Sequence, residues 1–333
     1  MNGLRVVKGG PWASIQDLGR PGAQRYGLSE SGAMDPVSLR IANRLVANPD
    51  GAAALEVGVL GIEFVVEADE VTISVVGPDV VWRIDNEVAR PNRSHTLARG
   101  AIVAVRPGRG AAYVYIGVHR GIDVPSVFGS ASFHARSGVG GLNGRALQEG
   151  DVIPVHPARV LELELDQPLP HGSGVDEIAV IKGPQIDHFS SAMWNTFVST
   201  PYQVSTKSDR MGIRLEGPAI SHTDKGYNIV SDGIALGSIQ VPGNGQPIVL
   251  GADRQTTGGY PKIVVIARAD MFRFSQRPPG STVRFRSISV EEGADALRRL
   301  HLSLERMTFR SADAKFTSER LLGLNLIDGG VWE

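Results

Sequence analysis

A mainly β fold with a few helices, arranged as two related domains, is what this 333-residue sequence predicts. Between residues 55 and 118, apolar alternation is broken repeatedly by turn signals. Glycine and proline occur 40 and 20 times, about 18% of the chain against an average of about 12%, and such punctuation suits many short strands. A faint internal repeat suggests duplication, and the length accommodates two domains.

Taken in order, residues 14–36 (SIQDLGRPGAQRYGLSESGAMDP) scatter Gln16, Asp17, Arg20, Gln24 and Arg25 among glycines in a stretch too long for a tight hairpin. It reads as an ordered loop, either a rigid surface pinned by Asp17 and Arg20 or an edge that meets a partner or ligand. A helix follows over MDPVSLRIANRLVANPD: Asp35 can cap it, Pro36 suits the first helical position, and Val37, Ile41 and Leu45 share a face. The runs LEVGVLGIEFVV, EVTISVVGPD, VVWRIDNE, AIVAVRPGRG and AAYVYIGVH then read as successive antiparallel strands turning at Asp85-Asn86 and Pro107-Gly108, which makes a sandwich or barrel.

Residues 119–151 are glycine-rich and aperiodic. Freed backbone amides with Arg136 or Arg145 could hold a carboxylate or phosphate there, or the arginines could be ordinary solvated loop residues. A linker is expected near residues 157–176. A second helix is predicted over IDHFSSAMWNTFV, where Ile186, Phe189, Met193 and Phe197 fall at helical spacing. A third starts at Ser289, with Glu292 completing a capping box. The predicted domains are 1–160 and 175–290, with a C-terminal helix and tail over 291–333. The repeat rests on VVKGGP at 6–11 against VIKGPQ at 180–185, on Tyr26, Ser29 and Met34 against Tyr202, Ser205 and Met211, and on Ala54-Leu55-Glu56 against Arg214-Leu215-Glu216.

Composition excludes several classes. The 34 basic and 35 acidic residues nearly cancel, so no nucleic-acid footprint is present. The absence of cysteine removes disulfides, thiolate nucleophiles and cysteine-bound zinc. The eight histidines show no metal-ligand spacing, and no metal is predicted. The N-terminus lacks a signal-like apolar core and no run approaches the ~18 residues of a membrane span, so a soluble, cytoplasmic chain is expected. No GxxxxGK[ST], GxGxxG before a helix, or GxSxG occurs.

The richest polar cluster is spread over STKSDRMGIRLEG, SIQVPGNGQPIVL and VLGADRQTTGGYPK. It holds Ser208, Asp209, Arg210 and Arg214, then Gln240, Asn244 and Gln246, then Asp253, Arg254, Gln255, Thr256, Thr257, Tyr260 and Lys262. Neutral amides and hydroxyls beside a few charges are what a site for a small amide or lactam needs, because each polar edge of the ligand must be matched once desolvated. Alternatively, Asp209 with Arg210 and Asp253 with Arg254 are ordinary surface charges.

The ordered motifs SIQDLGRPGAQRYGLSESGAMDP, GIDVPSVFGSAS, GGLNGRALQEGDV, GPQIDHF, SDRMGIRLEG, GSIQVPGNGQPIVL and ADRQTTGGYPK, spread over residues 4–290, resemble the allophanate hydrolase subunit 2 family, also called a biotin-dependent carboxyltransferase family, which includes the C-type component of bacterial 5-oxoprolinase. The resemblance implies two cyclophilin-like β-barrel domains. It implies a B-type companion, similar to allophanate hydrolase subunit 1, and an A-type companion, which together with the C-type component open 5-oxoproline to glutamate with ATP used at the level of the complex. It also allows a carboxyltransferase acting on urea or a related amide, with biotin supplied only on another protein, or a regulatory module that sequesters a companion of a kinase. For such substrates Arg210, Arg254 or Lys262 would polarise the carbonyl, Asp209 or Asp253 would accept a proton or orient the attacking group, and Gln240, Gln246, Gln255, Thr256, Thr257 and Tyr260 would hold the substrate. Gln16, Asp17, Arg20, Arg136 and Arg145 would form the partner or ligand loops. The sequence departs from the family pattern at Arg120-Gly121, where paired glycines are expected, and at Ala131, where an arginine is expected, leaving Arg120 or Arg136 to stand in for that arginine.

Overall fold

The computed structural model describes residues 3–172 and 177–312. The fold is mostly β, with a nearly closed, barrel-like sheet. In the N-terminal half one sheet runs in the order Val152–Pro154, Gly3–Lys8, Ile62–Val66, Ile102–Pro107, Val80–Ile84, Glu87–Val88. Facing it are Ala13–Gln16, Ala54–Val57, Val114–Val118, Glu70–Val76, Arg93–Ala98, Leu163–Leu165 and Phe309–Ser311. Leu4, Phe64, Ile73, Trp82, Val105 and Ile116 fill the space between them. Burying these side chains at about 25 cal/mol per Å² of apolar surface is the main force holding the two layers together.

The strands between 55 and 118 are antiparallel, yet they do not pair in sequence order. Glu70–Val76 pairs with Arg93–Ala98 and Val114–Val118, whereas Val80–Ile84 pairs with Ile102–Pro107. Consecutive strands cross from one layer to the other, because each must bury its apolar face against the shared core. One expected turn is a tight hairpin: Asp85 and Asn86 both take positive φ, 49° and 69°, the conformation that matches strand twist between Val80–Ile84 and Glu87–Val88.

In the C-terminal half eight strands form one sheet, ordered Thr282–Val283, Tyr202–Val204, Gly212–Glu216, Ile248–Leu250, Ser238–Gln240, Lys262–Ile266, Ile178–Lys182, Phe285–Ser287. A short ribbon pairs Asp232–Gly233 with Thr257–Gly258. The last described strand, Phe309–Ser311, returns to the N-terminal half and pairs with Leu163–Leu165, so the chain closes back on its first β unit. The expected tail beyond residue 312 and part of the expected linker lie outside the described residues.

Helix α1 (Pro36–Leu45) begins as predicted, with Asp35 accepting from the amides of Val37 and Ser38. The second predicted helix is interrupted. A 3-10 turn over Ile186–His188 gives way to extended Phe189, and α2 (Ser191–Ser199) starts only after Ser190, whose hydroxyl accepts from Met193 N. A serine that can cap offers the backbone an alternative to continuing the helix. Helix α3 (Met271–Ser275) has no counterpart among the predicted helices, being one short turn of mostly buried residues. Helix α4 (Val290–Glu305) carries the full Ser289/Glu292 capping box. Among the described residues, no helix is long and apolar enough to cross a membrane.

The repeat holds in part at the level of strands. Gly3–Lys8 and Ile178–Lys182 carry VVK and VIK, and Leu55 and Leu215 are both fully buried in strands. The Tyr/Ser/Met register does not hold: Tyr26 sits in a 3-10 turn and is 62% exposed, whereas Tyr202 is a strand residue 1% exposed. Residue identity there reflects turn chemistry in one half and core packing in the other.

Candidate functional site

The loop between Asp17 and Ala33 is rigid for identifiable reasons. Its two legs are joined by Arg20 N to Glu30 O at 2.8 Å and Ala33 N to Asp17 O at 2.9 Å. Gly19 and Gly32, with φ of 85° and 90°, face each other so closely that a Cβ on Gly19 would lie 2.7 Å from Glu30 O, which only glycine avoids. Asp17 accepts from Gly19 N, Ser130 Oγ, Ser132 Oγ and Ala131 N, all at 2.6–2.7 Å. It therefore ties the GSAS stretch to this loop, as Arg20 does through the carbonyls of Ser132 and Val127. Gln16, fully buried, donates to Ser14 Oγ and Phe133 O. These three side chains build the wall of a site and do not line it.

Arg210 is the centre of a buried network between the two halves. It meets Asp253 through Nε–Oδ2 at 2.9 Å and Nη2–Oδ1 at 3.1 Å, donates to Gly32 O at 2.7 Å, and pairs with Glu56. Glu56 also accepts from Tyr115 Oη and Met34 N, and Asp253 from Ser31 Oγ at 2.6 Å. Burial alone would raise the pKa of Asp253, but the Arg210 guanidinium and Ser31 hold it below the ordinary carboxylate value. Alongside lies a second buried link: Asp35 accepts from His171 Nε2 at 2.6 Å and Gln276 Nε2 at 2.8 Å, while Gln276 Oε1 accepts from the amides of Ala112 and Tyr113.

Beside this network opens a cleft of about 440 Å³. It is lined by Gly27–Ser29 of the first loop, by His134, Arg136 and Ser137 of the glycine-rich segment, and by Asp253–Thr257. All three polar clusters of the sequence thus meet at one place. Asp253 and Arg254 are each 3% exposed; Arg254 donates to Ile234 O and to Glu30 Oε2 at 3.0 Å. Arg136, Gln255 and Thr257 are solvent-exposed and thus accessible to a ligand. Arg136 lines the cleft and Arg120 does not, so Arg136 is the arginine nearest to taking the place vacated at Ala131.

His134 is a cleft-lining residue that sequence reasoning missed. It is 4% exposed, Nδ1 lies 2.6 Å from Ser137 Oγ, and Nε2 has no hydrogen-bond partner. Burial lowers its pKa, with Arg20 and Arg210 acting the same way against the charge and backbone of Asp253, which favours the neutral ring. A neutral imidazole lining the cleft can accept or relay a proton, whereas Asp253, engaged by Arg210 and Ser31, is a weak base. The available signal was its place three residues before Ser137 within the glycine-rich stretch, which does not mark burial.

The remaining predicted residues lie elsewhere or serve the fold. Asp209 caps its own turn, accepting from Met211 N and Gly212 N. Gln246 bonds Gly217 N and O across the end of the strand pair Gly212–Glu216 and Ile248–Leu250. Arg145 forms a bidentate pair with Asp151 at 2.7 Å. Lys262, 2% exposed, donates to Asp232 Oδ2 at 2.8 Å and to Gly233 O. Gln240 reaches Tyr260 O, and Tyr260 is 40% exposed. None of these six lines the cleft. Gly258 packs closely on Ile234 and Gln240, where an added Cβ would fall within 2.8 Å of both, so its smallness serves the ribbon and not a ligand.

The chain matches the family model described as carboxyltransferase domain, subdomain A and B, over residues 26–287. It is 36% identical over 309 residues to the C-type component of 5-oxoprolinase from Escherichia coli (strain K12), covering 92% of this chain and 98% of that protein. It is 30% identical over 308 residues to urea amidolyase of Saccharomyces cerevisiae, covering 86% of this chain and 17% of that protein. The solved structure of K. lactis urea amidolyase superposes with a TM-score of 0.82 at 28% identity, over 92% of this chain and 20% of that one.

Proposed function

Because the chain belongs to the carboxyltransferase domain family, subdomain A and B, we propose that it is the C-type component of an ATP-dependent 5-oxoprolinase, acting with B- and A-type companions to hydrolyse 5-oxoproline to glutamate. The similarity to the E. coli C-type component, along 98% of its length, supports this reading. The observation that carries it is the cleft, where His134, Arg136, Gln255, Thr256 and Thr257 line one space.

5-Oxoproline presents one carboxylate and one lactam. Arg136 pairs with the carboxylate, and the Gln255 amide and the Thr256 and Thr257 hydroxyls orient the lactam edge. In ring opening, water oxygen bonds to the carbonyl carbon, the C–N bond breaks and the nitrogen gains a proton. His134, which lines the cleft, takes a proton from water and returns one to the leaving nitrogen. Arg254, held by Glu30 and Ile234 O, supplies fixed positive charge near the developing oxyanion. ATP is spent at the level of the complex, and Asp253 with Arg210 holds the wall in place.

Reconstitution with the B- and A-type companions tests this by glutamate formation from 5-oxoproline and ATP. Turnover that needs all three proteins supports the reading, and a folded complex without turnover overturns it. The TM-score of 0.82 to a urea amidolyase favours one second reading, a carboxyltransferase acting on urea or a related amide with biotin carried by another protein. Carboxylation of urea by the chain with a biotinylated carrier, in place of glutamate formation, would select it.

A further inference from the structure

Arg254 also lines a second cavity, of about 390 Å³, between the first loop, α1, α3 and α4. Its character differs from that of the cleft. Leu18, Met34 and Phe272, with Leu297 and Leu300 of α4, give it hydrocarbon walls. Three guanidinium groups, Arg40, Arg254 and Arg268, border it, against a single carboxylate, Glu30.

The cations are not equally satisfied. Arg254 is committed to Glu30 at 3.0 Å. Arg40 reaches Asp50 only at 3.4 Å, while Arg44 holds both Asp50 oxygens at 2.6 and 2.8 Å. Arg268 makes no hydrogen bond or ion pair with any described residue. Although Arg268 is solvent-exposed as a whole, protein crowding lowers its pKa, and Arg254 and Arg40 act in the same direction against Glu30.

We propose that this cavity binds a small organic monocarboxylate with an apolar body, at a site separate from the polar cleft. The carboxylate answers Arg268 and weakly held Arg40, and the apolar body covers the leucine and phenylalanine wall. A compact inorganic anion fits less well, since its remaining oxygens would lose water against hydrocarbon without replacement. The volume lies within the range usual for small-molecule sites, about 300–1,000 Å³. This inference stands apart from the 5-oxoprolinase reading, because it uses neither His134 nor Arg136.

The test is calorimetric titration of the full chain with phenylacetate and with its neutral isostere phenylacetamide. Phenylacetate is expected to bind at least about tenfold more tightly than the amide, as a charge-assisted pair requires. Arg268→Gln should weaken phenylacetate by about tenfold and leave the amide unchanged, while Arg136→Ala in the cleft should change neither. Equal affinity for acid and amide, no binding of phenylacetate at millimolar concentration, or loss of binding in Arg136→Ala with retention in Arg268→Gln would each overturn the proposal.

Discussion

Arg210 and Asp253 face each other through two hydrogen bonds, Nε–Oδ2 at 2.9 Å and Nη2–Oδ1 at 3.1 Å, and the second carboxylate on Arg210 is Glu56 from the other half of the chain. One guanidinium therefore joins a strand of the first β unit to the segment that carries the cleft. Removing Asp253 leaves Arg210 with Glu56 and breaks two charge-assisted hydrogen bonds, at about 1.5–3 kcal/mol each. Asp253→Asn should lower unfolding free energy by about 3 kcal/mol in urea titration. A change under about 0.5 kcal/mol, the size of an ordinary surface substitution, would mean that the network does not hold the halves together.

Acid should act on this network in a definite order. The His134 pKa is lowered in the folded chain, so its contribution is present above its unfolded value, about 6.5, and lost as pH falls through the folded one. Asp253 and Asp35 are also lowered: burial pushes both up, but Arg210 and His171 respectively prevail. Their stability is full above the unfolded carboxylate value of about 4 and is lost as pH falls below it. Thermal melts across this range should show two falls, with His134→Gln reducing only the upper one, to which His222, also lowered by burial, contributes as well.

Gln276 should behave as a structural clamp. Its Oε1 accepts from two buried amides of the first unit and its Nε2 reaches Asp35. Gln276→Leu strands both N–H groups, and leaving a buried donor unsatisfied costs about 1–3 kcal/mol. A loss of about 2 kcal/mol or more in denaturant unfolding is expected, with unchanged helix content by circular dichroism.

Much of this was legible in the sequence where local chemistry decides the outcome. Asp35-Pro36 and Ser289/Glu292 start helices because capping needs only neighbouring residues, and Asp85-Asn86 turns because both tolerate positive φ. Strand order was not legible, since pairing of Glu70–Val76 with Val114–Val118 depends on which layer each strand joins. At the site, Asp253–Thr257 and Arg136 stood out by type, and the structure brings them together. Burial reassigned the rest: Arg210 and Asp253 became a clamp, Asp209 served a turn, Gln246 tied two strand ends, and His134 reached the cleft wall only through packing that no spacing rule encodes.

The exposed Tyr26 and Phe128 rings stack at 5.5 Å between the two loops that border the cleft, and Arg25 lies 4.8 Å over Tyr26. A pair of this kind is worth about 0.5–1.5 kcal/mol. Phe128→Ala should leave the global melting temperature nearly unchanged and speed amide exchange in residues 24–29, measured by hydrogen exchange.

The account's central claim is that the cleft of His134, Arg136 and Asp253–Thr257 receives the substrate. Its most direct measurement is kcat/KM for 5-oxoproline in the reconstituted complex, comparing Arg136→Ala with Gln246→Ala, since both side chains are on the surface but only Arg136 lines the cleft. Arg136→Ala should reduce kcat/KM by about tenfold or more, chiefly through KM, and Gln246→Ala by less than about twofold. Wild-type kinetics for Arg136→Ala together with a large loss for Gln246→Ala would contradict it and place the substrate elsewhere.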